Sequence, residues 1–173
     1  MIDADVLTDW RPIFLMVAGA SASLTGLLFV ALSLHSREIA SQPLYRYRAR
    51  LSLASLMAIL VISSLILIPG QTAMELGVKE IFPIAAVFIL LAFGLAELRH
   101  VADTARTAYA IRTGVALVLV MVAGVGDILL AKGRLIGLQI LALCCLIFLV
   151  WLVYNAWSLV IRLADETSNQ QPR

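Results

Sequence analysis

Residues Leu135 to Ile161 read LIGLQILALCCLIFLVWLVYNAWSLVI, 27 residues without one Asp, Glu, Lys or Arg. Hydrocarbon offers a backbone no water to bond, so only helices and closed barrels cross it. The apolar residues here run on continuously. They do not alternate with period two as barrel strands do, so the stretch predicts a helix. About 20 apolar residues span a bilayer, and this run is longer than one thickness requires. It can tilt or extend into the interface.

Four more stretches of the same kind precede it. They lie at about 12–34, at 51–68 (stopping at Pro69 and Gly70), at 81–98 and at 111–130, and the last helix is placed at 135–161. Pro83 falls in the first turn of the third, where proline is tolerated. The expected fold is all-α: a polytopic bundle of five transmembrane helices, residues 1–173 forming a single membrane domain. Composition agrees. Of 173 residues 62% are apolar and 14% charged, with a mean hydropathy of +0.99. Soluble domains run near 25% charged, and a body this small has too much exterior to hide so much apolar surface.

The net charge of +2 is too weak for a nucleic-acid binder. Eleven of the thirteen cations are Arg, a bias that a GC-rich bacterial genome produces. Cys144 and Cys145 are adjacent in an apolar run and read as packing residues, not a disulfide framework. The acidic start (Asp3, Asp5, Asp9) lacks the basic region of a cleaved signal, so the first helix is expected to be retained.

Orientation follows from the cations. Arg37, Arg46, Arg48, Arg50, Arg99, Arg106, Arg112, Arg162 and Arg173 fall on one side. Arg11, Lys79, Lys132 and Arg134 fall on the other. This predicts the N-terminus outside and the C-terminus in the cytoplasm, in a bacterial inner membrane. Trp10, Tyr45, Tyr47 and Tyr109 fall at the edges of the apolar runs, where amphipathic rings collect. Trp151, Tyr154 and Trp157 follow i, i+3, i+6 on one helix face. The run Arg46, Arg48, Arg50 adjoins the membrane and suits anionic lipid headgroups.

In the first helix Ala18, Ala22 and Gly26 recur every fourth residue, with Gly19 and Ser23 alongside. Small residues let helices approach closely, so this is expected to be a packing surface. A pore lined by Ser21, Ser23 and Thr25 is the alternative. Gly114, Ala123, Gly124 and Gly126 give the fourth helix a lesser version. The two helices could pack together, or one could pack across a homo-oligomer.

Ionisable groups inside a membrane are costly and mark function. Asp127 is the nearest case, read either as an interfacial carboxylate paired with Lys132 or Arg134, or as an ion or proton site at the outer mouth. A path would run by Ser21, Thr25, Gln71 and Asp127, with Glu75 near the mouth. Gln139 and Asn155 read as hydrogen-bond glue between helices. His35 with Glu38, and Glu97 with His100, are i, i+3 pairs on shared helix faces and form a candidate metal cluster, although solvated salt bridges explain them as well. No Ser-His-Asp pattern, phosphate loop or His-Glu-x-x-His occurs.

Three stretches carry a resemblance: Ala20 to Leu34, Leu44 to Arg50, and Ser64 to Gln71. They resemble a family of small bacterial inner-membrane proteins of unknown function, some labelled modulators of FtsH protease. The resemblance covers roughly the first 80 residues. It implies a membrane partner that restrains a membrane-bound AAA+ protease. The residues themselves lead to the expectation of a non-enzymatic scaffold or regulator acting through helix contacts, without cofactor. The alternative is a channel or transporter for an ion or small solute.

Overall fold

A computed structural model describes residues 4–36, 39, 43–97 and 103–169, with side chains for 8–36, 39, 45–94, 110–158 and 161. Five α-helices follow one another: α1 (Ala4–Leu34), α2 (Pro43–Leu67), α3 (Ala73–Glu97), α4 (Asp103–Ala131) and α5 (Ile136–Asn169). Each is long and apolar enough to cross a membrane, and no strand occurs among the described residues. The chain is a multi-pass membrane bundle. Its outward side chains bear this out. Leu27, Phe29, Phe82, Phe93, Val118, Met121 and Val150 are all more than half exposed, an apolar surface that water would not tolerate on a monomer and that acyl chains match.

Helices α2 to α5 close into a ring, in which each packs on the next and α5 returns to α2. Helix α1 lies outside that ring, against α2 and α5. Its inward face is Phe14, Val17, Ser21 and Leu28, all under 5% exposed. These fall at i, i+3, i+7 and i+14, one side of a 3.6-residue helix. Ser21 Oγ donates to Leu56 O at 2.6 Å, and Leu32 packs on Tyr45 and Ala49. The two helices therefore run antiparallel. One face of the bundle (the N-face) gathers the start of α1 and the turns at 68–72 and 132–135. The opposite face (the C-face) holds the ends of α1, α3 and α5 and the starts of α2 and α4.

The helices are longer than the apolar runs predict. α3 is the consequential case, for it begins eight residues before the expected 81. Thr72 and Glu75 form a capping box: Glu75 N donates to Thr72 Oγ1 at 3.3 Å and Thr72 N to Glu75 Oε2 at 3.5 Å. This satisfies two backbone donors at the helix start. Pro83 consequently lies in the helix interior rather than its first turn. The α4–α5 turn closes just as tightly. Gly133 adopts φ +75°, Gly133 N bonds Leu130 O at 2.8 Å, and Arg134 N bonds Leu129 O at 3.0 Å. This is the Schellman arrangement that ends a helix and needs glycine at its left-handed residue.

Close backbone approach falls at the expected Gly126 and at the unexpected Gly77 and Gly137. A Cβ on Gly77 would lie 2.8 Å from Asp127 O and 2.9 Å from Ala131 N. One on Gly137 would lie 2.7 Å from Leu130 N, and one on Gly126 would lie 3.2 Å from Gly137 O. These contacts lock α3 to α4 and α4 to α5. Gly124 meets only Ile84 Cγ2, at 4.0 Å. On α1, Ala18 is buried, but Gly19, Ala22, Ser23 and Gly26 are exposed. A Cβ on Gly19 or Gly26 would touch nothing within 4 Å. The small-residue stripe is thus not a contact within the chain, and α1 and α4 make no extensive contact.

Candidate functional site

The capping box places Glu80 two turns inside α3. At 1.5 Å per residue it lies roughly 10 Å from the helix start. Asp127 lies four residues before the end of α4, about 6 Å deep by the same measure. Gly77 brings the two backbones together, and the two carboxyl groups are close enough to act on each other electrostatically. Glu80 is 0% exposed and Asp127 1%. No donor among the described residues reaches any of their four oxygens.

This corrects the expectation for Asp127. Lys132 and Arg134 are exposed, and neither bonds it. Lys79 also turns away, donating from Nζ to Gln71 Oε1 at 2.8 Å. Like charges this close in a medium of low dielectric cannot both stand bare. The pair requires positive charge between its oxygens, supplied by a proton or a small cation.

The rest of the expected ion path is not assembled. The Ser21 hydroxyl is spent on Leu56 O, between α1 and α2. Thr25 Oγ1 donates to Ser21 O at 2.8 Å and Ser23 Oγ to Gly19 O at 2.9 Å, both one turn back on the same helix. Gln71 Nε2 donates to Leu65 O at 2.6 Å and Ile68 O at 3.1 Å, tying off the end of α2. Asn155 Nδ2 donates to Trp151 O of its own helix at 2.7 Å, so it does not glue two helices. Gln139 is exposed.

Of the candidate metal cluster, His35 Nδ1 lies 3.0 Å from Ala31 O. Glu38, His100 and the side chain of Glu97 lie outside the described residues. Among the described residues no group of three His, Cys, Asp or Glu could hold a metal ion.

Two cavities lie among α2 to α5 on the C-face side of the carboxylates. The first, about 50 Å³, opens near the C-face and is lined by Arg48, Ser52, Ser55, Arg112, Thr113 and Asn155, with Phe148 and Leu152. Arg112 Nη1 and Arg48 Nη2 both donate to Ser158 Oγ, at 3.1 and 3.3 Å. Arg112 also lies 5.8 Å above the Tyr154 ring, which in turn neighbours Trp151 at 6.2 Å. Trp157 is exposed. The second cavity, about 40 Å³, shares Ser55 and Phe148 with the first. It reaches Ile84, Ala123, Cys144 and Cys145, one turn from the pair. Volumes of this size admit water or a bare ion and exclude an organic solute. Both thiols are free and buried.

A further buried hydroxyl, Ser63 Oγ, also has no partner. It sits four residues from the N-face end of α2, at the depth of Asp127. Arg46 and Arg50, expected at lipid headgroups, are exposed on the first turns of α2.

The fold and site define a class: a five-helix membrane bundle with an unneutralised carboxylate pair set within its ring. No family model, curated protein or solved structure matches the chain.

Proposed function

We propose that this protein moves protons, or couples to their movement, through the Glu80–Asp127 pair. The observation that carries this reading is the pair itself: two fully buried carboxyl groups that no donor among the described residues reaches, inside helices long and apolar enough to cross a membrane. Ionisable groups in that position mark ion pathways and proton relays. A structural role would be served better and more cheaply by leucine. The proton is favoured over a metal cation because no third His, Cys, Asp or Glu among the described residues joins the pair, whereas a metal ion wants about six ligands.

The test is proton flux into vesicles containing the purified protein, driven by a potassium diffusion potential and read by an internal pH dye. Flux above that of protein-free vesicles is expected, lost in Glu80→Gln and in Asp127→Asn, and retained in Glu75→Gln, whose carboxylate is exposed. Absence of flux in the wild-type protein would end this reading.

A second reading is favoured by a different observation, the exposed Gly19, Ala22, Ser23 and Gly26 face of α1. That face suits a second transmembrane helix, in a scaffold or regulatory role. The resemblance to proteins labelled modulators of FtsH protease supports the same reading. In a Cys144→Ala/Cys145→Ala background, Gly26→Cys is expected to crosslink to a neighbouring chain in native membranes. Recovery of monomer alone would count against it. The orientation with the N-face outside, the bacterial inner membrane and headgroup contacts at Arg46, Arg48 and Arg50 belong to this proposal as well, supported by the distribution of Arg and Lys.

A further inference from the structure

The proton-site reading leaves open how water reaches the pair, and the two cavities differ in a way that bears on this. The C-face cavity carries polar groups on a largely apolar wall: three hydroxyl residues, Asn155 and two guanidinium groups. Such a wall holds water. The next cavity is lined by Ala58, Ile59, Ile62, Ile84, Val87, Leu119, Val120 and other apolar groups, with Ser55 and the two thiols the only polar ones. An apolar cavity of this size stays dry.

Toward the N-face the pair is sealed differently. Leu76, Leu130 and Leu138 are each at most 1% exposed. They stand one turn from Glu80 and Asp127, beside the backbone contacts of Gly77, Gly126 and Gly137. The site thus has a packed wall at the nearer face and a wet vestibule with a dry segment toward the farther one.

We infer that the dry cavity around Ile59, Val87 and Val120 is a hydrophobic gate, through which the carboxylate pair in this conformation exchanges protons with the C-face, transfer to the N-face requiring the packed wall there to open. This inference rests on the proton-site reading above. Apolar constrictions gate by dewetting. When the gap fills, a few waters join the hydroxyls of Ser55 and Thr113 to the carboxyls. When it empties, the relay is cut with no helix displaced. The positive charge of Arg48 and Arg112 at the vestibule opposes hydrated metal cations. It also keeps proton exchange slow, as a transporter requires and an open pore does not.

Few other groups could confuse a titration of the pair. On α5 the neighbours are Cys144 and Cys145. Helix α2 has no titratable residue between Arg50 and its end. On α1 the nearest is Arg11, at the N-face end, with its Nε buried and unpartnered. Glu75 and Lys79 on α3 are exposed.

The experiment follows the infrared carbonyl band of the protonated pair in vesicles of known orientation, identified by its loss in Glu80→Gln/Asp127→Asn. The pH is changed on one face at a time. The band is expected to follow C-face pH quickly and N-face pH only slowly. The response to C-face pH should quicken severalfold in Val120→Thr, which wets the gap, and slow severalfold in Ala123→Leu, which fills it. A band that follows N-face pH as fast as C-face pH, or a rate untouched by both substitutions, overturns the gate and leaves the proton site standing. A band that follows neither face removes the site and the gate together.

Discussion

Replacing Gly137 with leucine is expected to prevent α4 and α5 from closing, and with them the whole ring. Even a Cβ at this position would lie 2.7 Å from Leu130 N, and it would press on Gly126 O as well. These atoms belong to backbone hydrogen-bonded into a helix, so they cannot rotate away as a side chain would. Ordinary overpacking costs about 1–3 kcal/mol, and a collision with rigid backbone exceeds that. The Schellman turn at Gly133 compounds the effect, because it fixes how α5 departs from α4 and leaves no slack for the helices to splay. Size-exclusion chromatography in mild detergent should show Gly137→Leu aggregated where the wild type is monodisperse. Gly114→Leu serves as the control, since a Cβ there would meet nothing within 4 Å. Equal behaviour of the two variants would mean the contact between α4 and α5 has been misplaced.

The second large effect runs in the opposite direction. Glu80→Met combined with Asp127→Leu is expected to raise the thermal midpoint in detergent while abolishing proton movement. Each side chain is near in shape to the one it replaces, and each removes a buried group that has no donor. An unsatisfied buried polar group costs about 1–3 kcal/mol, so the double variant recovers on the order of twice that. The single variants should recover less, because each leaves one carboxyl facing an apolar neighbour. Stability given up at one place in return for a charged group inside the bilayer is the signature of a functional site. A lower midpoint in the double variant would instead mark the pair as a structural contact, its shared proton stabilising the α3–α4 interface.

The same pair shows where reading residues in order falls short. Glu80 adjoins Lys79 and follows Glu75, and a hydropathy run stops at the first such cluster. Yet the signal that α3 starts earlier was present, in Thr72 and Glu75 spaced as a capping box. Once the helix is begun at Ala73, the spacing from Glu80 back to Leu76 and Gly77, and forward to Ile84 and Val87, places Glu80 on a buried face. Lys79, one residue away, points outward and bonds Gln71. The α1 stripe carries the converse lesson. Ala18, Ala22 and Gly26 have the spacing of a contact, but spacing states only that a face is smooth. It does not state which helix lies against it, and within this chain only Ala18 is covered.

The five helices long and apolar enough to cross a membrane follow from the sequence alone. Long uncharged runs have one stable environment, and their number and length can be counted along the chain. The tertiary structure decided that Glu80 and Asp127 face each other, that Ser21 joins two helices rather than lining a path, and that an apolar cavity comes within a helical turn of both carboxylates. Those facts depend on which helices are neighbours and at what rotation. That choice is made by a few close backbone contacts at Gly77, Gly126 and Gly137, between residues far apart in the chain or across a turn.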